Sequence, residues 1–289
     1  MKIAVFGSTG MLGSTVLKFF RQQPEYDLGV ISRYYPDAAS DTSPLPPVLR
    51  NYDYAINCIG IIKPRINERD SVSVQRAIRV NALFPHALAQ AAETVHTRVI
   101  QIATDCVYSG FDGPYDELDQ HDALDVYGKT KSLGEVQSPN VRHLRCSIIG
   151  PEPAGRPKDS LLEWFLGQSE GAKVAGYTNH LWNGITTLAF AKICHGMIQQ
   201  GDAAWENVQP VRHVVPGSQV AKAELLKAFQ FHYNRPDIRI EDVEAKVPVN
   251  RVLKTLDPGG NMALWQVAGY AMPPTIDQLI EEQAEWGRP

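Results

Sequence analysis

MKIAVFGSTGMLGSTVLKFF, Met1 to Phe20, is the stretch that decides the fold. Lys2 to Phe6 is a short apolar run that reads as a buried strand. Gly7, Gly10 and Gly13 follow at three-residue spacing, and Thr15 to Gln23 then sets Val16, Leu17, Phe19 and Phe20 along one helical side. Strand, glycine turn and helix in this order form the context a dinucleotide site needs. Gly7 permits a sharp turn, and Gly10 lets backbone N–H groups approach a pyrophosphate. Gly13 lets the helix pack close on the strand, and the helix N-terminus meets the anion with its positive dipole end. Gly7, Thr9, Gly10, Met11, Leu12 and Gly13 are therefore the expected cofactor contacts of the turn.

Composition bounds what surrounds it. A chain of 289 residues can bury one large core or two modest ones. Its 44% hydrophobic and 21% charged residues are those of a soluble globular protein, and a net charge of -4 gives no reason to expect nucleic acid or an anionic membrane as partner. No apolar run is long enough for a membrane span, and a core strand at the N-terminus leaves no room for a signal peptide. Cys58, Cys106, Cys146 and Cys194 are scattered, with no CxxC pair and no histidine at metal spacing. The expectation is a cytoplasmic protein with free thiols and no metal site.

Taken in order, the first half alternates strand and helix. Asp27 to Ser32 is a second strand, ending where an NAD enzyme usually places a carboxylate on the ribose 2′-hydroxyl. Ser32 and Arg33 stand there instead, and a guanidinium beside a hydroxyl suits a 2′-phosphate, so NADPH is the expected cofactor. Tyr52 to Cys58 is the next strand and runs into Gly60, a small residue beside the adenosine half. The loop beyond it carries Lys63, Arg65 and Arg69. A long helix from a Ser71 cap to about Glu93 holds Asn81 in its middle, where asparagine asks for a partner or a task.

Arg98 to Ala103 is another strand, followed directly by Thr104, Asp105 and Cys106. After a polar loop, Tyr127 and Lys131 lie four apart and so share one helix face. The lysine charge favours phenolate, making the tyrosine a usable proton donor and acceptor, while the Thr104 hydroxyl can hold the carbonyl oxygen on which both act.

GSTGMLG, NCIG at Asn57 to Gly60, RVNA around Asn81, ATDCVYSG and VYGKTKSLGE together resemble the extended short-chain dehydrogenase/reductases. Within these the likeness is to the dTDP-4-dehydrorhamnose reductase group of sugar-nucleotide reductases. It is strong over residues 1 to about 150 and weaker beyond. The resemblance implies an α/β Rossmann-type, doubly wound parallel sheet over 1–150. A smaller substrate-binding lobe then occupies most of 151–289, with 184–215 returning to the first unit. It implies Thr104, Tyr127 and Lys131 as the catalytic trio. Cys58, Ile59, Gly60, Asn81 and Ala103 would line the cofactor groove with Tyr127 and Lys131, and Thr104, Asp105 and Cys106 would face the substrate. The implied reaction is hydride transfer from NADPH to the 4-keto carbon of a nucleotide-linked 4-keto-6-deoxysugar, with a homodimer as an admissible assembly.

Two departures sharpen this. Related 4,6-dehydratases carry Thr-Asp-Glu, whereas Thr104-Asp105 here precedes Cys106, so dehydration is not expected. Cys106 itself stands where bifunctional 3,5-epimerase/4-reductases place an acid/base cysteine, and His180 is a candidate second group for such a step. A third reading is a non-catalytic binding subunit, which an intact Thr104, Tyr127 and Lys131 speaks against.

Beyond the strand Val141 to Ile149, Arg156 and Lys158 lie in a polar stretch within reach of a diphosphate. Helices are expected at Leu161–Gln168, Leu188–Gln199 and Lys222–Tyr233, with a strand at Val211–Val215. Gly176 to Thr187 mixes Asn, His, Trp and Tyr in a way that suits a sugar, and Trp182 and Asn183 are the expected substrate contacts. Pro248–Thr255 and Thr275–Trp286 are expected to complete the lobe as helices.

Overall fold

A computed structural model describes residues 1–31, 45–206 and 209–287. The expected cofactor contacts Ser32 and Arg33 lie outside these residues. In chain order the first elements are β1 (Lys2–Phe6), α1 (Met11–Phe20), β2 (Asp27–Ile31), α2 (Leu45–Leu49), β3 (Tyr54–Asn57) and α3 (Ser71–Ala77). A π-helical stretch Ile78–Leu83 then leads into α4 (Phe84–Val95), β4 (Arg98–Ala103), α5 (Val126–Leu133) and β5 (Val141–Arg145). The remainder is built of β6 (Ile148–Ile149), α6 (Leu161–Leu166), β7 (Lys173–Tyr177), β8 (His180–Trp182), β9 (Ile185–Thr186), α7 (Thr187–Gln200) and α8 (Asp202–Glu206). It closes with β10 (Val211–His213), β11 (Val220–Ala221), α9 (Lys222–His232), β12 (Arg239–Val243), β13 (Val249–Asn250), α10 (Pro258–Val267) and α11 (Ile276–Gly287).

Six strands form one sheet in the order β10-β5-β4-β3-β1-β2, and every pairing in it is parallel. Strands buried on both faces need continuous apolar character, which Ile3–Phe6 and Tyr54–Ile56 supply. One face is covered by α1 and α7, where Val16, Phe19 and Phe20 pack among Leu188, Ala191 and Cys194. On the other face α2 and α4 bring Leu45, Leu49, Leu88 and Ala92 against Ala4 and Ala55. The chain leaves β1 for β2 on one side and returns to β3 on the other. This reversal opens a crevice at the strands' carboxyl ends.

Gly13 is what lets α1 lie so close to the turn. A Cβ there would stand 2.2 Å from the Gly7 carbonyl oxygen and 2.9 Å from the Ser8 nitrogen, both rigid backbone. Gly10 is different, since a Cβ would meet nothing nearer than the Gly7 oxygen at 3.5 Å. We therefore expect Gly13→Ala to cost about 1–3 kcal/mol in urea unfolding through overpacking. Gly10→Ala should leave the unfolding midpoint in place and weaken dinucleotide binding instead.

Several expected elements shift. The long helix is capped by Asp70, whose carboxylate accepts from the Val72 N–H at 3.1 Å, rather than by Ser71. The expected strand Val141–Ile149 breaks after Arg145, and β6 pairs separately with β9. Pro248–Thr255 is extended, not helical: Val249–Asn250 pairs with His180–Leu181, and Leu253 bridges Tyr115. The helix of this region is α10, which starts at Pro258 behind an Asp257 cap that accepts from Gly260 N–H at 2.8 Å. β7 and β12 pair in parallel and were not expected.

Candidate active site

The crevice at the ends of β1, β3, β4 and β5 is a cleft of about 310 Å³. Gly7, Gly10, Met11 and Leu12 form one wall, Cys58, Ile59 and Gly60 the next, and Ala103, Thr104, Asp105, Cys106, Tyr127 and Lys131 the far end. Gly7 turns with φ +76°, and a Cβ there would stand 3.0 Å from the Cys58 carbonyl carbon and the Ile59 nitrogen, so the end of β3 leaves no room for a side chain at that turn. Gly60 resembles Gly10 in that a Cβ would meet nothing nearer than Asn81 Oδ1 at 3.6 Å. Neither position needs glycine for packing or for backbone strain. Both border the cleft, where a missing Cβ leaves space for a ligand against the backbone. This fits a dinucleotide.

Thr104 ends β4 and caps the short turn Asp105–Val107, its oxygen accepting from Cys106 N–H at 3.2 Å. Its hydroxyl also donates to Asp105 Oδ1 at 3.3 Å and lies close enough to the Tyr127 hydroxyl to act on its pKa. Helix α5 comes this close because Gly128 rides on the Cys106 carbonyl, where a Cβ would stand 2.5 Å away. Asp125 caps α5 by accepting from Gly128 N–H at 2.8 Å, and Lys63 holds the same carboxylate at 2.7 Å. Tyr127 thus starts the helix beside Thr104, and Lys131 follows one turn on.

The electrostatics differ from the simple expectation of a lysine lowering its tyrosine. Burial raises the Tyr127 pKa, and the Cys106 and Asp105 charges raise it further, with only the Thr104 hydrogen bond acting downward within the site. Lys131 is 7% exposed and donates to the Ile102 carbonyl at 3.2 Å. Burial lowers its pKa to about 8, against the partial opposition of the Glu135 charge. In this state Tyr127 is a neutral phenol and Lys131 an ammonium poised near neutrality. Burial and the Asp105 charge push the Cys106 thiol up to about 12. It holds its proton at physiological pH and cannot serve as a base there.

Behind the cleft lies a buried polar group that sequence reading did not find. Arg145 of β5 pairs with Glu135 just beyond α5, and donates to the Tyr108 hydroxyl at 2.8 Å and to His213 Nε2 at 2.7 Å. One guanidinium therefore ties the segment after Thr104 and the end of α5 to the sheet. Burial, aided by the Arg145 charge, lowers the His213 pKa to about 4, so the ring accepts this hydrogen bond in its neutral form.

Other expected site residues sit elsewhere. Asn81 is fully buried behind the cleft, accepting from Ile61 N–H at 2.8 Å and donating to the Ile61 carbonyl at 3.0 Å and to Thr130 Oγ1 at 3.2 Å. It fastens the loop after β3 to α5 and does not border the cleft. Gly13 supports the turn from beneath, and Thr9 is exposed at its rim. Asn183 clamps the Leu253 backbone, donating to its carbonyl at 2.7 Å and accepting from its N–H at 2.8 Å, which uses both ends of the amide. Trp182 donates to Ser147 Oγ at 2.7 Å and packs among the residues of α6 and α9, outside the cleft wall. His180 bonds the Val247 carbonyl at 3.1 Å and does not border Cys106. Arg65 and Arg156, both named among the basic loop residues of the sequence, do line the cleft, together with Cys146, Ser147, Glu152 and Ser160, to which the sequence did not point. The signal of Cys146 and Ser147 was positional, since they follow directly on β5, whose neighbour β4 already ends in the site. No metal-binding cluster occurs among the described residues, and no described helix is long and apolar enough to cross a membrane.

Comparison with known proteins agrees with this geometry. Over 249 residues the chain is 26% identical to the methionine adenosyltransferase 2 subunit beta of Danio rerio, covering 81% of this chain and 75% of that protein. It is 29% identical over 136 residues to the dTDP-4-dehydrorhamnose reductase of Mycolicibacterium smegmatis, covering 46% of this chain and 40% of the reductase. The chain thus matches less than half the length of that reductase. A crystal structure of dTDP-4-dehydrorhamnose reductase from Bacillus anthracis, in complex with NADP, superposes with a TM-score of 0.74 at 16% identity and covers 97% of each chain. The family described as RmlD substrate binding domain matches residues 1–149. That match spans more than half of the chain and contains the glycine turn, Thr104, Tyr127 and Lys131, and the chain belongs to this family.

Proposed function

We propose that this protein reduces the 4-keto group of a nucleotide-linked 4-keto-6-deoxysugar with NADPH, as a step in deoxysugar biosynthesis. The observation that carries this is the meeting of Thr104, Tyr127 and Lys131 at one end of a cleft whose other end is the Gly7–Gly10 turn. The chemistry the dinucleotide supplies when bound is a hydride. Tyr127 delivers a proton to the carbonyl oxygen, Thr104 donates a hydrogen bond to the same oxygen, and the Lys131 ammonium stabilises the negative charge left on the phenol. The family match and the NADP held by the Bacillus anthracis reductase support the same cofactor. We place the dinucleotide unit at 1–150 and the sugar nucleotide against 151–289. The segment 184–215 returns to the first unit, as supported by α7 on α1 and by β10 beside β5. A cytoplasmic homodimer accords with this reading.

The direct test is NADPH oxidation against a panel of nucleotide-linked 4-keto-6-deoxysugars in heavy water. Turnover with one nucleotide and no new deuterium at C3 or C5 is the expected result. New deuterium there would select the epimerase alternative, for which the protonated Cys106 thiol would be the acid and a base other than His180 would be needed. The length of the match to the methionine adenosyltransferase subunit favours one second reading, a dinucleotide-binding subunit without turnover. NADPH binding with silence across the panel would select it.

Cofactor choice has its own test. Arg33→Asp is expected to reverse the preference for NADPH over NADH, because a carboxylate repels the 2′-phosphate and accepts from a 2′-hydroxyl. Comparing kcat/KM for the two cofactors checks it, and an unchanged ratio would mean that another residue holds the phosphate.

A further inference from the structure

Helix α1 begins at Gly10 with no side-chain cap and with no acidic residue in its first turn. Its free N–H groups and positive dipole end therefore face the cleft with no acidic side chain of their own helix beside them. The carboxylate that does line the cleft, Glu152, lies on the Arg156 segment and feels the charges of Arg65 and Arg156. Arg156 approaches the same place from the segment between β6 and α6. Its side chain lines the cleft with Gly7 and Gly10, and Nη2 donates to Thr9 Oγ1 at 2.5 Å. The nearby cations are neutralised: Arg65 pairs with Asp159 at 2.6 Å and Lys158 with Glu163 at 3.2 Å. Arg156 forms no ion pair among the described residues, and its one bonded partner in the turn is a neutral hydroxyl. A guanidinium has five N–H donors in a planar fork that suits phosphate oxygens. Two positive features thus converge on one small space, an arrangement that an anion between them would stabilise.

We propose that Arg156 is a ligand of the dinucleotide's pyrophosphate, reaching it from the wall opposite the glycine turn. The proposal rests on the dinucleotide reading above and adds a contact supplied by the chain beyond β5. Bound cofactor would then hold the segment 151–160 against the turn. The sugar-nucleotide side of the cleft would be ordered by the same anion.

The test is titration of the full chain with NADPH by fluorescence, without sugar nucleotide. The proteins are wild type, Arg156→Gln, Arg156→Lys and Lys158→Gln. Loss of one charge-assisted phosphate contact should raise the NADPH Kd of Arg156→Gln by about tenfold, with Arg156→Lys losing less. Lys158→Gln should stay within about twofold of wild type, since Lys158 is paired and does not line the cleft. Arg156 is exposed, so matching thermal melts are expected and separate binding from folding. An Arg156→Gln Kd within about twofold of wild type would overturn the proposal, since a phosphate contact is worth more than that. So would a loss seen only in competition by dTDP or UDP, which would assign Arg156 to the sugar nucleotide. Absence of NADPH binding by the wild type would strike the dinucleotide reading itself and is distinguished by that first titration.

Discussion

Tyr127→Phe is expected to bind NADPH with unchanged Kd while kcat falls by about 10²–10⁴-fold. The ring is half-buried in the first turn of α5, so losing only the hydroxyl leaves the packing of that turn intact. What disappears is the hydroxyl proposed to hand a proton to the carbonyl oxygen. Burial raises its pKa, so the phenol is fully protonated across the neutral range and is a donor before substrate arrives. Thr104 has a single hydrogen, given to Asp105 Oδ1 at 3.3 Å while its oxygen accepts from Cys106 N–H. It must turn that hydrogen from Asp105 to hold the carbonyl oxygen, and as a proton source it would leave an alkoxide of high basicity, so it is no acid here. Thr104→Val should accordingly lower kcat less than Tyr127→Phe does. Steady-state kinetics beside an NADPH titration separates these effects. Unchanged turnover in Tyr127→Phe would remove the tyrosine from the mechanism.

The meeting of Thr104, Tyr127 and Lys131 at one end of the cleft was legible because its determinants are local. A strand ending at Ala103, the hydroxyl next to it and a tyrosine four residues before a lysine are all short-range patterns. The parallel order of the sheet then brings them together. The glycine turn is legible for the same reason, and Gly13 does what its position suggests. The placement of Asn183 and Trp182 was not legible, because their partners are distant in the chain. Asn183 spends its amide on Leu253 across 70 residues and Trp182 bonds Ser147 across 35, and composition alone cannot reveal such pairings. Asn81 does have partners, the backbone of the Ile61 loop and the Thr130 hydroxyl. Pro258-Gly-Gly reads as a breaker, yet proline is favoured in a first helical turn and Asp257 caps it. The second half is made of two- to five-residue strands that gain stability from each other, so their own sequence carries little periodic signal.

Lys131→Met is expected to lose turnover by orders of magnitude and yet to unfold later than the wild type near pH 7. The ammonium is buried, and that burial lowers its pKa from 10.5 to about 8. Below pH 8 the folded chain carries a charge that is better hydrated in the unfolded chain. A shift of this size corresponds to roughly 3 kcal/mol of lost stability. As pH rises through about 8 the folded state releases the proton while the unfolded state keeps it to about 10.5, so stability climbs across that window. Methionine removes the penalty but leaves the Ile102 carbonyl without its donor, a loss of about 1–2 kcal/mol. The net gain near pH 7 is then about 1–2 kcal/mol. It should vanish partway through the window from 8 to 10.5 and become a net loss of about 1–2 kcal/mol at its upper end, where only the missing Ile102 hydrogen bond remains. Catalysis runs the other way. The charge must be present to support the phenolate that Tyr127 leaves behind, so wild-type kcat should decline as pH rises through about 8. Urea unfolding of both proteins at neutral and alkaline pH, with the kcat profile of the wild type, checks both halves. A less stable Lys131→Met at pH 7 would mean that the buried ammonium is held by more than the Ile102 carbonyl and the charge of Glu135.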